Sequence, residues 1–159
     1  MKASPTAVKK QGPESNITQI SPSNRLASRH RRYGWTSLLI FIGFGTILEG
    51  LLGFKSIGLL MDPLRRELWS LAHFHGAMLA IVNLVYVSWA DNTDLRSHQQ
   101  NSASWALIIG SLCMPAGFFF GGIAHPEGDP GIAIFLVPIG ALMICYAIFL
   151  QAMAAWKRG

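Results

Sequence analysis

The sequence has few charged residues, only two cysteines and no regular alternation of polar and apolar residues. Asp, Glu, Lys and Arg make up 13% of its 159 residues, whereas 51% are hydrophobic. The hydrophobic residues are gathered into long blocks, and a lipid bilayer admits only helices and closed barrels. Because a period of two is absent, the blocks are typical of membrane-spanning helices rather than of barrel strands.

Four blocks reach the length of about 20 residues that a helix needs to cross a bilayer. They cover residues 35–53, 68–90, 103–123 and 131–156. The sequence therefore predicts an all-α fold, an integral membrane four-helix bundle that forms one transmembrane domain over residues 34–159.

The segment before the first span, residues 1–33, is basic and has almost no large apolar side chain. It is predicted to be a disordered tail, because it cannot bury enough surface to offset its ordering entropy. An organellar transit peptide is the alternative interpretation. His30, in this tail, and His98, in the loop after the second span, are expected to have no role.

The basic residues near the span ends are concentrated on the side that both termini share. The positive-inside rule places that side in the cytoplasm. The protein is expected to be an integral protein of the bacterial inner (plasma) membrane. Cys113 and Cys145 fall inside predicted spans, where each behaves as a small apolar residue, so no disulfide framework is predicted.

The net charge of +5 is compatible with nucleic acid as a partner. The tail lacks aromatic residues between its charges, however, and juxtamembrane cations beside anionic lipid explain the excess. The predicted partner is therefore the lipid bilayer and not nucleic acid. Whether the chain forms a homo-oligomer or belongs to a larger membrane complex is not determined by the sequence.

Two histidines, His73 and His75, lie inside the second predicted span. An ionisable side chain at bilayer depth is costly and indicates a function. Positions two apart on a helix are separated by about 200°, so the two rings face different neighbours and cannot bind one metal ion together. We expect His73 to face the bundle interior and His75 to face lipid, a second protomer or a large flat ligand.

Further polar residues approach the same level from other parts of the chain. Glu49 is near the outer end of the first span, and His125 is in the loop after the third, which also contains Glu127 and Asp129. The candidate metal ligands are therefore His73, His75, Glu49 and His125. Copper or zinc on His73 with Glu49 or His125 is one cofactor that they could hold, and haem is another.

The residues Ala72-His73-Phe74-His75, followed by an apolar helix, resemble the Ala-His-Phe-His signature of the tenth helix of haem–copper oxidase subunit I. The resemblance implies that His73 ligates a high-spin haem beside copper and that His75 ligates a low-spin haem. It covers only a short part of the chain. That family has twelve spans and three more copper-binding histidines, whereas no other predicted span here contains a histidine. A complete oxygen-reducing centre is therefore excluded.

Three functions are compatible with this sequence. The first is a haem- or metal-binding redox module with His73 and His75 as the cofactor ligands. The second is a non-catalytic membrane subunit or assembly partner, in which the histidines form hydrogen bonds between helices. The third is proton or ion passage along His73, Glu49 and Asn83, although the third and fourth spans offer no polar group to continue the path. No catalytic residues are predicted, because the sequence has neither a nucleophile–base–acid constellation nor a phosphate-binding glycine loop.

Overall fold

The computed structural model describes residues 22–90, 95–123, 125–126 and 128–157. These residues are almost entirely helical and contain no strand. The elements in chain order are α1 Pro22–Gly53, α2 Ile57–Leu60, α3 Pro63–Ala90, α4 Ser97–Gly121, a 3-10 turn Ile132–Phe135, and α5 Leu136–Trp156. The all-α fold class is thereby confirmed.

Four helical segments of the described chain are long and apolar enough to cross a membrane. They are Asn24–Gly53, Pro63–Ser88, Ser97–Gly121 and Ile132–Trp156. The sequence also predicted four spans, but the first segment begins at Asn24 and not at residue 35.

The expected disorder of residues 1–33 is wrong for its last part, because α1 already begins at Pro22. Composition suggested that this stretch had too little apolar surface to be ordered. Its residues Leu26 and His30 are nevertheless buried, at 7% and 0% exposure. The contacts that offset their ordering entropy come from other helices, which composition does not reveal. The rest of the predicted tail, residues 1–21, lies outside the described residues.

A local signal accounts for where α3 begins. Proline is tolerated in the first turn of a helix, where its missing N–H group would have no partner, and α3 starts at Pro63. Asp62 precedes α3, and its Oδ1 accepts a hydrogen bond of 2.9 Å from the backbone N–H of Arg65. This carboxylate is therefore an N-cap of the usual kind.

The long helices pack in an open row rather than in a closed bundle. α1 packs against α3, α3 against α4, and α4 against α5, and α1 also contacts α4 to a smaller extent. Within the described residues no contact joins α1 to α5. The two outer helices consequently have wide apolar faces that no other part of the described chain covers.

α4 and α5 approach each other closely at two glycines. A Cβ atom on Gly110 would lie 2.8 Å from the carbonyl oxygen of Gly140, and one on Gly140 would lie 3.0 Å from the carbonyl oxygen of Gly110. Only residues without a side chain let two helix backbones come this close. The apolar pair α4 and α5 is therefore positioned by backbone contact.

Candidate functional site

His73 lies on α3 and faces α1, as the sequence predicted for a ring in the interior. Its Nδ1 is 2.7 Å from the carbonyl oxygen of Phe41. A carbonyl only accepts, so Nδ1 carries the proton. The ring fills the space above Gly45, where a Cβ atom would be 2.3 Å from its Cε1. The contact is reciprocal, since the ring of Phe41 lies equally close to Gly76.

His75 lies on the opposite side of α3 and packs against α4. Its ring is half-buried, with its centroid 5.1 Å from that of Phe118. Nδ1 donates to the carbonyl oxygen of Leu71 at 2.9 Å, which makes Nε2 an acceptor. This Nε2 has no hydrogen-bond partner among the described residues. The expectation that His75 faces lipid needs correction, because α4 covers part of the ring.

The structure does not bring Glu49 to either histidine. Its side chain is exposed and forms no hydrogen bond or ion pair within the described part of the chain. Gly45, one turn earlier on the same helix, is the residue that meets His73. Glu49 therefore lacks the contact that a partner of a buried histidine requires.

His125 belongs to a separate group, called here the Asp62 cluster, which comprises Asp62, Arg65 and His125. The Nε2 of His125 is 3.0 Å from Asp62 Oδ2, and a guanidinium nitrogen of Arg65 is 3.3 Å from the same oxygen. Arg65 Nε also donates to the carbonyl oxygen of Gly122 at 2.9 Å. The cluster thus joins the start of α3 to the end of α4 and the loop beyond it.

The bonds to Asp62 hold the pKa of its carboxyl below the ordinary value of 3.8. The backbone N–H of Arg65 is the main cause, and the hydrogen bond and charge of His125 act in the same direction. Glu127, which the sequence placed in the same loop, lies outside the described residues. Asp129 is exposed.

The four predicted metal ligands therefore lie in separate places. His73 faces α1, His75 faces α4, Glu49 is exposed, and His125 pairs with Asp62. No group of three or more His, Cys, Asp or Glu side chains that could hold a metal ion occurs in the residues described. A metal ion or haem would therefore have at most two protein ligands from the described residues.

The best-buried polar side chains lie near the start of α1, where the sequence predicted no site. This group, called here the His30 cluster, comprises His30, Asn83, Ser104 and Ser111. None of the four is more than 1% exposed. They come from three helices, α1, α3 and α4, so the cluster joins all three.

The hydrogen bonds of the His30 cluster determine its protonation. His30 Nδ1 is 2.7 Å from Asn83 Oδ1, and because an amide oxygen only accepts, Nδ1 carries the proton. His30 Nε2 then accepts from the Ser104 hydroxyl at 2.7 Å. The amide nitrogen of Asn83 donates to Ser111 Oγ at 2.9 Å and to the Leu79 carbonyl at 2.8 Å. Every polar side-chain atom of His30 and Asn83 is paired.

Arg29 extends the His30 cluster toward the end of the helices. Its guanidinium donates to the Ser104 hydroxyl and lies 4.2 Å above the ring of Trp105. His30 itself packs on Tyr86, with ring centroids 4.5 Å apart. The imidazole is therefore fully buried, with its two nitrogens hydrogen-bonded and its ring against that of Tyr86.

A sequence signal for this cluster exists. Positions 26, 30, 34 and 37 are all buried and are spaced by three or four residues, which is the period of one helix face. The same helical period therefore extends from the first predicted span into the residues that precede it. It would have placed His30 on the packed face of a longer helix.

Two expectations about the other spans are also wrong. His30 lies inside the segment Asn24–Gly53, so His73 and His75 are not the only histidines within a candidate span. The third span does contain buried polar groups, Ser104 and Ser111. They do not complete an ion path, however, because Asn83 and His73 are ten residues apart on α3, which is about 15 Å at 1.5 Å per residue.

The polar side chains thus form separate sites, held by hydrogen bonds and, at the Asp62 cluster, by ion pairs. Comparison with known proteins finds no family model, curated protein or solved structure that matches this chain. The resemblance of residues 72–75 to the oxidase helix stays a prediction.

Proposed function

We propose that the protein is a non-catalytic integral membrane subunit, whose intramembrane histidines hold its helices in one arrangement. The observation that carries this proposal is the His30 cluster, in which His30 and Asn83 are fully buried and fully hydrogen-bonded. Both side chains are committed to neighbouring helices. Neither has a polar side-chain atom left unpaired.

The energetics of a bilayer favour such a role. An interhelical hydrogen bond in a membrane contributes on the order of 1 kcal/mol, whereas an unpaired polar group in hydrocarbon costs several kcal/mol. Sliding α1 along α3 by one residue would unpair His30, Asn83 and Ser104 together. The cluster therefore selects one register of the helices against all others.

The open row of helices supports a role as a subunit of a larger assembly, built either from copies of this chain or from another membrane protein. Large apolar side chains are exposed on both outer helices, for example Leu39 on α1 at 74% and Leu142 on α5 at 72%. A neighbouring helix can cover such faces as well as lipid does.

Cysteine crosslinking in native membranes tests this assembly. Cys145 is exposed on α5 and Cys113 is half-buried on α4. If copies meet through α5, a short bis-maleimide reagent links two chains of the C113S variant, and the C145S variant gives no product. A chain that stays monomeric and co-purifies with no other membrane protein under mild extraction would contradict the proposal.

The proposed topology has both termini in the cytoplasm of a bacterium, with the protein in the inner membrane. Support comes from the even number of candidate spans and from the basic residues near the start of α1, among them Arg25, Arg29 and Arg32. Alkaline phosphatase fused to the C-terminus should be inactive, and a fluorescent protein fused there should be bright. The reverse pattern would overturn the orientation.

A second candidate function, haem or metal binding by His75, rests on one specific observation. Its Nδ1–H group donates to a backbone carbonyl, which is the usual arrangement of a histidine whose Nε2 binds a metal. The ring lies between Phe118 and the exposed Phe74, with centroids 5.1 and 5.6 Å away. A flat apolar group such as haem suits these surroundings.

The absorption spectrum and the metal content of detergent-purified protein test this second candidate. A Soret band or stoichiometric metal that is lost in H75A, and retained in a control variant of the exposed His98, would support it. The H73A variant shows whether His73 is a second ligand or only a packing residue, because only loss of a ligand would remove the Soret band or the metal. Colourless, metal-free protein from cells supplied with haem, copper and zinc would contradict this function and leave the first proposal intact.

A further inference from the structure

A cavity of about 280 Å³ lies between the start of α1 and the start of α4. The residues that line it are, apart from one leucine, of polar or basic type: Arg25, Leu26, Arg29, Ser97, Gln100 and Asn101. A second and more open cavity of about 430 Å³ adjoins it, shares Arg25 and Arg29, and adds Arg32. Arg25 and Arg29 line both cavities and Arg32 lines the second; the two cavities together are called here the hollow.

The three arginines lie on the same face of α1. They are four and three residues apart, a spacing that aligns side chains along a helix. Arg25 and Arg32 form no hydrogen bond or ion pair within the described residues. Their charges are therefore not neutralised by any described acidic side chain.

Arg29 lines both cavities, and its guanidinium is already oriented. Its contacts with Ser104 and the Trp105 ring restrict the guanidinium to one position. Its Nε is nevertheless buried and has no hydrogen-bond partner among the described residues. A buried donor without an acceptor is costly, so the contacts of this guanidinium within the described chain do not satisfy all of its donors.

The start of α4 adds a second source of positive potential. The first intrahelical bond there runs from the N–H of Gln100 to the carbonyl of Arg96. The N–H groups of residues 97–99 precede it and have no partner within the helix. Such a helix N-terminus attracts anions, and Ser97 on the wall of the cavity is its first residue.

We infer that this hollow binds a phosphate oxyanion, supplied by the headgroup of an anionic phospholipid. Guanidinium groups bind phosphate oxygens in pairs, and basic pockets between membrane helices are known to hold anionic headgroups. The hollow lies at the first turns of the candidate spans formed by α1 and α4, so acyl chains can run along these helices while the headgroup contacts the arginines. The inference rests on the membrane location of the proposed function.

The experiment uses the full chain in a non-ionic detergent. Three probes are titrated separately: short-chain phosphatidylglycerol, short-chain phosphatidylcholine and inorganic phosphate. Binding is read by native mass spectrometry and by the rise in the thermal unfolding midpoint. R25Q and R32Q remove charges from the hollow. R31Q is the matched control, because Arg31 is exposed on the same turn of α1 but does not line either cavity.

We expect phosphatidylglycerol to bind with saturation and phosphatidylcholine to bind weakly or not at all. R25Q and R32Q should each weaken phosphatidylglycerol binding about fivefold, the fold-change that corresponds to about 1 kcal/mol for one basic residue at an anionic surface. R31Q should bind like the wild-type chain. Because all three variants replace exposed side chains, a folding defect is not expected in any of them.

Two results would overturn the inference. Equal weakening by R25Q, R32Q and R31Q would mean diffuse attraction without a site. Saturation by inorganic phosphate with no preference for phosphatidylglycerol would assign the hollow to a free anion and reject the lipid. Extraction of native membranes with alkaline carbonate is done in parallel, because release of the chain by carbonate would instead contradict the membrane location itself.

Discussion

The two polar clusters of the molecule each contain a histidine, but in opposite surroundings. The His30 cluster is sealed from solvent and pairs neutral groups from three helices. The Asp62 cluster pairs charged groups, partly exposed, between a helix start and a loop. Since burial makes an unpaired polar group expensive and exposure makes an ion pair weak, the first cluster should dominate the stability of the fold.

The largest expected effect is at Asn83. Replacing it by leucine leaves the His30 Nδ1–H group and the Ser111 hydroxyl without their described partner. We expect the free energy of unfolding to fall by about 2–3 kcal/mol, since each buried unpaired group costs about 1–3 kcal/mol. Denaturant unfolding in micelles measures this loss. S70A, on the exposed side of α3, is the control, and an N83L variant as stable as S70A would show that the His30 cluster does not hold the helices.

The next largest effect is expected at Gly45, the residue against which the His73 ring packs. The Gly45→Ala substitution places a Cβ atom against the His73 ring, and overpacking of this kind costs about 1–3 kcal/mol. Gly43→Ala is the matched control, because nothing lies within 4 Å of its added Cβ atom. Thermal unfolding should show a lower midpoint for G45A alone. Removing the ring in the double variant H73A/G45A should recover part of that loss, and additive losses would contradict the contact.

A smaller effect is expected at the Asp62 cluster. At neutral pH, Asp62→Asn should lower the thermal midpoint by less than G45A does. The pKa of Asp62 is lower in the folded than in the unfolded chain, so its contribution is complete above the unfolded pKa of 3.8 and is lost as the pH falls through the folded pKa. The difference between wild type and D62N should therefore vanish in strong acid. A difference that grows on acidification would have the wrong sign.

The smallest effect is expected at Glu49. Its side chain is exposed and has no described partner, so Glu49→Gln should change the free energy of unfolding by no more than about 0.5 kcal/mol. The same unfolding assay applies. A large loss in E49Q would instead point to a contact of this carboxylate with a neighbouring chain in the assembly.

The prediction from sequence was accurate for the helices and weak for the site. The four candidate spans follow from local hydrophobicity, which is a property of consecutive residues. His73 was correctly expected to face inward, because its side of α3 bears Gly76 and Ala80, which are small. His30 was missed because the tail was judged by composition, although its buried positions repeat with a helical period.

Other features could not be read from the order of residues. Glu49 was placed near His73 by depth alone, but depth does not determine which way a side chain points around its helix. Likewise His75 meets Phe118 only because α4 packs on that side of α3. The open row has the same origin, since four antiparallel spans can close into a bundle or remain open with identical local sequence.

The sequence by itself determined that this chain is helical, that four of its segments can cross a bilayer, and that its basic residues gather near the start of α1. These properties depend on neighbouring residues, whose hydropathy and charge act without reference to the rest of the chain. Only the tertiary structure decided which polar groups meet. Hydrogen bonds between His30, Asn83 and Ser104 join residues far apart in the chain, and their geometry depends on the rotation and the register of every helix involved.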